Sequence, residues 1–270
     1  FLTMDVRFAG RKKFVRMHNV EYKYYHELMR CTKHPLKKMY YWNESRLLKK
    51  YECDLTRRAS GFWAVTSPDA ECYRKEFHCS TAEYLPLFLP AWHIKSAEGK
   101  GNYCLYHGNL SVPENEYAAV WLLKNVFHKI KIPFVVAGKN PSEYLSKLAH
   151  AKEHTCIVAN PSEKEMQDMI AKAHIHVLPS FNNTGIKLKL LNALFNGRHC
   201  VVNNNAVAGT GLEELCVPAN NAEEFCYLIQ QLYAEPLTAY DVAARKEILH
   251  RNFNNEASAK RIIKWIWGDK

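Results

Sequence analysis

From residue 103 onward, short apolar runs rich in β-branched and aromatic residues recur with segments of helical character between them. YCLYH (103–107), PFVVAG (133–138), TCIVAN (155–160), HIHVL (174–178) and CVVN (200–203) have the length and composition of buried strands. The intervals 114–128, 142–151, 162–173 and 185–196 have the length of one helix each, and a loop leads to 212–215. Strands separated by a helix-sized connection pair in parallel. A parallel sheet must be covered by helices on both faces. Residues 103 to about 235 are therefore expected to form a Rossmann-like domain, with ligands at the carboxyl ends of its strands.

The earlier half has the same alphabet in a looser order. A strand is expected at 12–17, helices at 20–34 and 35–59, a strand at 62–66, and a helix capped by Ser67 and Pro68. A stretch broken by proline and glycine leads to residue 102. Everything after Glu235 is helical in pattern, and 256–267 carries an apolar face of Ile262, Ile263, Trp265 and Ile266 that needs a partner. At 270 residues and 47% hydrophobic, the chain can bury roughly three quarters of its unfolded surface. No apolar run reaches the ~18 residues of a membrane span. Nine dispersed cysteines with no C-x-x-C pair point to reduced core thiols in a cytoplasmic protein. The opening FLTMDVRFAG lacks both an initiator methionine and a signal-peptide pattern, as in a protein begun partway.

Charge is concentrated at one end. Residues 1–60 hold 15 Lys or Arg against 6 Asp or Glu, a net +9 of the chain's +10. The expected helix 35–58 mixes Lys37, Lys38, Lys49, Lys50, Arg57 and Arg58 with Tyr40, Tyr41 and Trp42. Such a helix can lie on an anionic membrane at the inner face or be a solvated charged surface. Nucleic acid is not expected as a partner, because no nucleic-acid module accompanies the basic residues.

The stretch 174–205 bears most directly on function. Its expected helix, 185–196, is apolar nearly all round, yet Gly185, Lys189, Asn192 and Asn196 follow at spacings of four, three and four, a single line down one face. Lysines here can snorkel to water from a packing helix. They can also meet an anion at a helix start. Other chemistries lose ground by absence: there is no G-x-G-x-x-G after a strand, no Walker loop, no G-x-S-x-G, and no D-x-D to hold a cation on a diphosphate. His174 and His176 share a strand face but lack an obvious third ligand, so no metal site is expected.

Four stretches together resemble a known family. KKFVRMHNVEYKYYHEL, YHGNLSVPENEYAAVWLL (a strand ending in glycine, a loop, then an asparagine at a helix start), PFVVAGKNPSEYL and LPSFNNTGIKLKLLNALFNGRHCVVN are similar, in that order, to segments of GT-B type glycosyltransferases, in the retaining group-1/family-4-like set of bacterial polysaccharide enzymes. The resemblance implies an α/β fold with a complete C-terminal Rossmann-like domain and the later part of an N-terminal one. It implies an acceptor-side portion at 1–90, a linker at 91–102, a nucleotide-sugar-binding domain at 103–250, and a terminal helix at 251–270 returning to the N-terminal portion. It also implies that His18 reaches the donor sugar, and that Gly108, Asn109, Lys139, Thr184, Gly185, Lys187, Lys189 and Asn192 contact the donor. The family's two signature glutamates correspond to Thr184 and Asn192, and its diphosphate-binding arginine and lysine to Asn109 and Glu114. Lys139, Lys187 and Lys189 are the cations left to replace them.

The expected activity is metal-independent, cofactor-free transfer of a hexose from a nucleotide diphosphate sugar to a saccharide or lipid-linked acceptor, with retention implied by the resemblance. A noncatalytic nucleotide-sugar-binding scaffold and a sugar-nucleotide epimerase of the same fold are the alternatives.

Overall fold

The computed structural model describes residues 5–89 and 93–268. Residues 91 and 92, which open the expected linker, lie outside them, as do 1–4, 90 and the last two residues of the terminal segment. The chain forms two compact units: residues 1–90, 184–186 and 249–270 in the first, 91–183 and 187–248 in the second.

In the first unit, strands β1 (Phe14–Met17), β2 (Gly61–Ala64) and β3 (Ala82–Tyr84) pair in parallel in that order. Helices α1 (Glu21–Cys31) and α2 (Pro35–Arg58) form a hairpin between β1 and β2, and α3 (Ser67–Glu76) joins β2 to β3. Pro35 and Pro68 each fall in a first helical turn, where the missing N–H costs nothing. Phe62, Tyr73, Phe77 and Val20 make the core. The last helix, Asn255–Trp267, belongs to this unit. Its Trp265 stacks on Trp63 at 5.5 Å, and Asn255 bonds both backbone groups of Leu89.

The second unit is a six-stranded parallel sheet in the order β6-β5-β4-β7-β8-β9. Its strands are β4 (Cys104–Asn109), β5 (Phe134–Lys139), β6 (Thr155–Ala159), β7 (Ile175–Val177), β8 (His199–Val202) and β9 (Val217–Pro218). The crossovers are α4 (Pro113–Asn125), α5 (Glu143–Ala149), α6 (Glu163–Lys172), α7 (Leu188–Asn196) and the short α8 (Asn204–Val207), followed by α9 (Ala222–Ala234) and α10 (Ala239–Asn252). The order of succession reverses at β4, which lies between β5 and β7. A doubly wound sheet opens its ligand crevice at such a reversal.

One expected boundary is wrong in a consequential way. The helix expected from 185 begins at Leu188. Gly185 has φ +66°, and Lys187 is extended at ψ 98°, so neither can belong to a helical turn. Asn192 and Asn196 remain on the helix with Lys189, while Gly185 leaves the line.

Candidate functional site

The carboxyl ends of β4 and β5 meet where both strands finish in glycine followed by a polar residue. Gly108 pairs with Gly138, and Asn109 with Lys139. A Cβ on Gly138 would lie 1.9 Å from the Gly108 carbonyl oxygen, so the two backbones approach in a way no other residue permits. A cleft of about 440 Å³ opens there, lined by Gly108, Asn109, Gly138, Lys139, Glu163 and Gln167 among others. Glu163 and Gln167 are one turn apart on α6 and thus on one face. Both also line a neighbouring pocket of about 360 Å³ with Asn192 and Asn196. A larger hollow of about 760 Å³, lined by Asn102, Lys131, Lys152, His154 and others, lies at the opposite, amino ends of β4 to β6. Position outweighs size here, because doubly wound sheets bind at strand carboxyl ends.

The expected contact residues separate into groups. Gly108, Asn109 and Lys139 share the first cleft, and Asn192 stands in the second. Asn109 is exposed, with its Oδ1 accepting from the Ser111 amide (3.2 Å) and hydroxyl (2.8 Å). Asn192 Oδ1 accepts from Asn196 Nδ2 at 2.8 Å. Lys189 is half-buried and its ammonium donates to the Tyr106 hydroxyl and to Asn115 Oδ1, each at 3.0 Å. Burial pulls its pKa down to about 8, opposed by Glu114 and assisted by Lys187. Lys187, the residue before α7, is half-buried.

Thr184 and Gly185 fall in the first unit with His18. The Gly185 N–H donates to Asp69 Oδ2 at 2.8 Å, and a Cβ on Gly185 would meet Asn19 Oδ1 at 2.0 Å. Glycine is required there by both space and φ. His18 is exposed, directly after the end of β1. Behind it, Glu52 is fully buried and accepts from the Glu21 N–H (2.8 Å), the Tyr22 N–H (3.3 Å) and the Tyr73 hydroxyl (2.6 Å). It caps α1, whose own N-cap residue Val20 offers no side-chain acceptor.

Glu163, Gln167 and Tyr106 were not singled out by the sequence. The i, i+4 spacing of Glu163 and Gln167 just after a Ser162 cap was the available signal for the first two. His174 accepts from the Gly101 N–H through Nδ1 (3.1 Å), and His176 packs edge-on to His107 with ring centroids 5.8 Å apart. All four ring nitrogens of His107 and His176 are buried without a hydrogen-bond partner. Among the described residues, no group of three or more His, Cys, Asp or Glu could hold a metal ion.

The sequence model of the family described as glycosyl transferases group 1 matches residues 101–235, half of the chain, from just before β4 to the end of α9. The chain belongs to this family. It is 28% identical over 262 residues to an uncharacterised 44.6 kDa protein in a cps region of Klebsiella pneumoniae, covering 91% of this chain and 64% of that one. Among solved structures, it is similar to a mutant S. aureus TarM in complex with Fondaparinux, alpha-GlcNAc-glycerol and UDP (TM-score 0.68, 12% identity, 95% of this chain and 51% of that one). It is also similar to a UDP-forming alpha,alpha-trehalose-phosphate synthase from Burkholderia xenovorans in complex with glucose-6-phosphate (TM-score 0.63, 10% identity, 98% and 70%). These likenesses show the GT-B type α/β fold with Rossmann-like sheets. The chain spans just under two thirds of the Klebsiella relative's length and about half of TarM's.

Proposed function

We propose that this group 1 chain carries the donor site of a glycosyltransferase that moves a hexose from a nucleoside diphosphate sugar to a saccharide or lipid-linked acceptor, without a metal ion and with retention. The observation that carries the reading is the cleft at the ends of β4 and β5, inside the matched region. Gly108 and Gly138 line the cleft without side chains, so a phosphate can come close to the strand ends there, and Lys139 is exposed beside them as a point charge. Such fixed donors and charges stabilise a departing diphosphate electrostatically. Asn192 is assigned to ribose, Glu163 and Gln167 to polar edges of the nucleotide, Lys187 to phosphate, and His18, Thr184 and Gly185 to the sugar. The UDP and glucose-6-phosphate of the solved relatives support a nucleotide donor and a saccharide acceptor.

Peripheral contact with an anionic membrane is part of the same proposal. On α2, Leu36, Met39, Tyr40, Trp42 and Leu47 are exposed among Lys37, Lys38, Arg46, Lys49 and Lys50. An apolar and aromatic surface set among cations suits the headgroup region of such a bilayer. Among the described residues, no helix is long and apolar enough to cross one.

The test is calorimetric titration of UDP, GDP, ADP and dTDP and of their hexose conjugates, followed by donor hydrolysis with and without EDTA. Binding of at least one nucleotide and slow, EDTA-insensitive hydrolysis of its sugar are expected. Binding without turnover would favour a noncatalytic scaffold, and no binding at all would remove the donor-site reading.

A further inference from the structure

The loop after β4 hinges on one amide side chain. Asn115, in the first turn of α4, donates Nδ2 to the Asn109 carbonyl at 3.0 Å, the same oxygen that accepts the Val112 N–H at 3.2 Å. Its backbone carbonyl accepts from the Tyr106 hydroxyl at 3.0 Å. A Cβ on Gly108 would stand 3.4 Å from Asn115 Cγ, so the amide group lies directly against the strand end. Which way that amide faces decides whether Asn109 is held. Lys189 decides it, because an ammonium has only protons to offer. With Nζ 3.0 Å from Oδ1, the oxygen must face Lys189, and the NH₂ is left for Asn109. Lys189 is itself fixed by Tyr106, through the hydroxyl at 3.0 Å and over the ring at 4.6 Å.

We infer that Lys189 is a positioning residue that sets the 109–112 loop through Asn115, and that it does not itself touch the phosphates of a donor. Two of its three ammonium protons are engaged by Tyr106 and Asn115. Neither Lys189 nor Asn115 lines the cleft formed by Gly108, Asn109 and Lys139. The consequence for nucleotide binding rests on the donor site proposed above. The consequence for the loop stands without it.

Both are measured on the whole chain with Lys189→Met, Lys189→Arg, Asn115→Ala and the Lys189→Met/Asn115→Ala double variant. In ligand-free protein, amide exchange at Ser111 and Val112 is expected to rise about tenfold in Lys189→Met and in Asn115→Ala, the loss of one charge-assisted hydrogen bond. It should stay near wild type in Lys189→Arg, with β5 and β6 unchanged in every variant. Loop exchange equal to wild type in Asn115→Ala overturns the inference even if Lys189→Met does not fold. The second arm titrates UDP, GDP, ADP and dTDP. Each single variant should lose about tenfold in affinity for whichever binds, and the double variant no more, because both act through one route. An approximately hundredfold loss in the double variant would mean independent contacts and would also overturn it. If wild type binds none of the four nucleotides, the donor reading fails, and the exchange arm still decides the positioning claim.

Discussion

Glu52 in the first unit and Lys189 in the second each stand at a first strand-to-helix junction, and the two are satisfied in opposite ways. Glu52 faces the start of α1 and receives two backbone N–H groups and a tyrosine hydroxyl. The helix dipole favours a negative charge at that end. Burial still raises its pKa, against the pull of those donors. Lys189 faces the start of α4, and its two hydrogen-bond partners are neutral. The difference separates a charge that holds the fold from a charge whose cost is tolerated for the loop it aligns. Glu52 is on the structural side of that line, and Lys189 on the functional side.

The largest expected effect sharpens the first half of the comparison. Glu52→Ala strands the buried Tyr73 hydroxyl and two partly buried N–H groups, so the chain should lose about 3 kcal/mol in urea unfolding. Lys189→Met should change stability by less than about 1 kcal/mol, since its partners are uncharged and an apolar side chain fits the same space. Equal destabilisation by the two variants would erase the distinction.

A comparable but pH-dependent effect resides one residue before Gly108. Burial, reinforced by Lys189, lowers the His107 pKa to about 3, and burial also holds His176 well below its ordinary value. The unfolded chain therefore binds these protons first. Stability is full above the ordinary imidazole value of 6.5 and falls with pH through the acid range. The slope is up to about 1.4 kcal/mol per pH unit for each imidazole. His176→Leu should flatten that decline in urea midpoints measured from pH 7.5 to 4.5. A parallel decline in the variant would contradict the assignment.

Lys189 has its own pH effect, on the alkaline side. Its folded pKa of about 8 lies below the unfolded value, so stability increases with pH from about 8 toward 10.5. The cation that orients Asn115 is lost over the same window. Nucleotide affinity should therefore fall through pH 8 in wild type and hold in Lys189→Arg. Matching profiles in the two proteins would detach Lys189 from binding.

Smallest per residue is the surface of α2. Each cation near an anionic bilayer contributes about 1 kcal/mol, screened over ~8 Å at physiological salt. Cosedimentation should favour anionic over neutral vesicles, weaken with salt, and decrease further in a Trp42→Ala/Leu47→Ala variant. Equal binding to both vesicle types would remove the electrostatic argument.

Much of the fold was legible because periodicity and burial coincide in parallel strands. The runs at 103–107, 133–138 and 155–160 lie within two residues of β4, β5 and β6 at each end, and Gly138 ends its run where the backbones close up. The start of α7 was not legible. Spacing placed Gly185 one turn before Lys189, but a positive φ at Gly185 and an extended Lys187 are conformations that periodicity cannot report. The same shift matters to the site. In a regular helix from 185, Lys187 and Lys189 would point about 200° apart; with the helix beginning at Leu188, Lys187 is free of that geometry. Spacing also put Lys189 and Asn192 on one face, yet they serve different surroundings. Lys189 reaches Tyr106 and Asn115, and Asn192 stands with Glu163 and Gln167. Side-chain reach across a sheet depends on tertiary neighbours that no local pattern encodes. Asn115 was visible as an asparagine at a helix start, but its bond back to Asn109 was not.

The most direct test of the donor site is the exchange footprint of whichever nucleoside diphosphate binds. The account predicts protection in the second unit at 108–112 and 138–141, with weaker protection along 162–167, and loss of that pattern in Lys139→Ala as affinity drops about tenfold. Protection confined instead to 102–103, 131–135 and 151–156, around the larger hollow at the amino ends of the same strands, would contradict it.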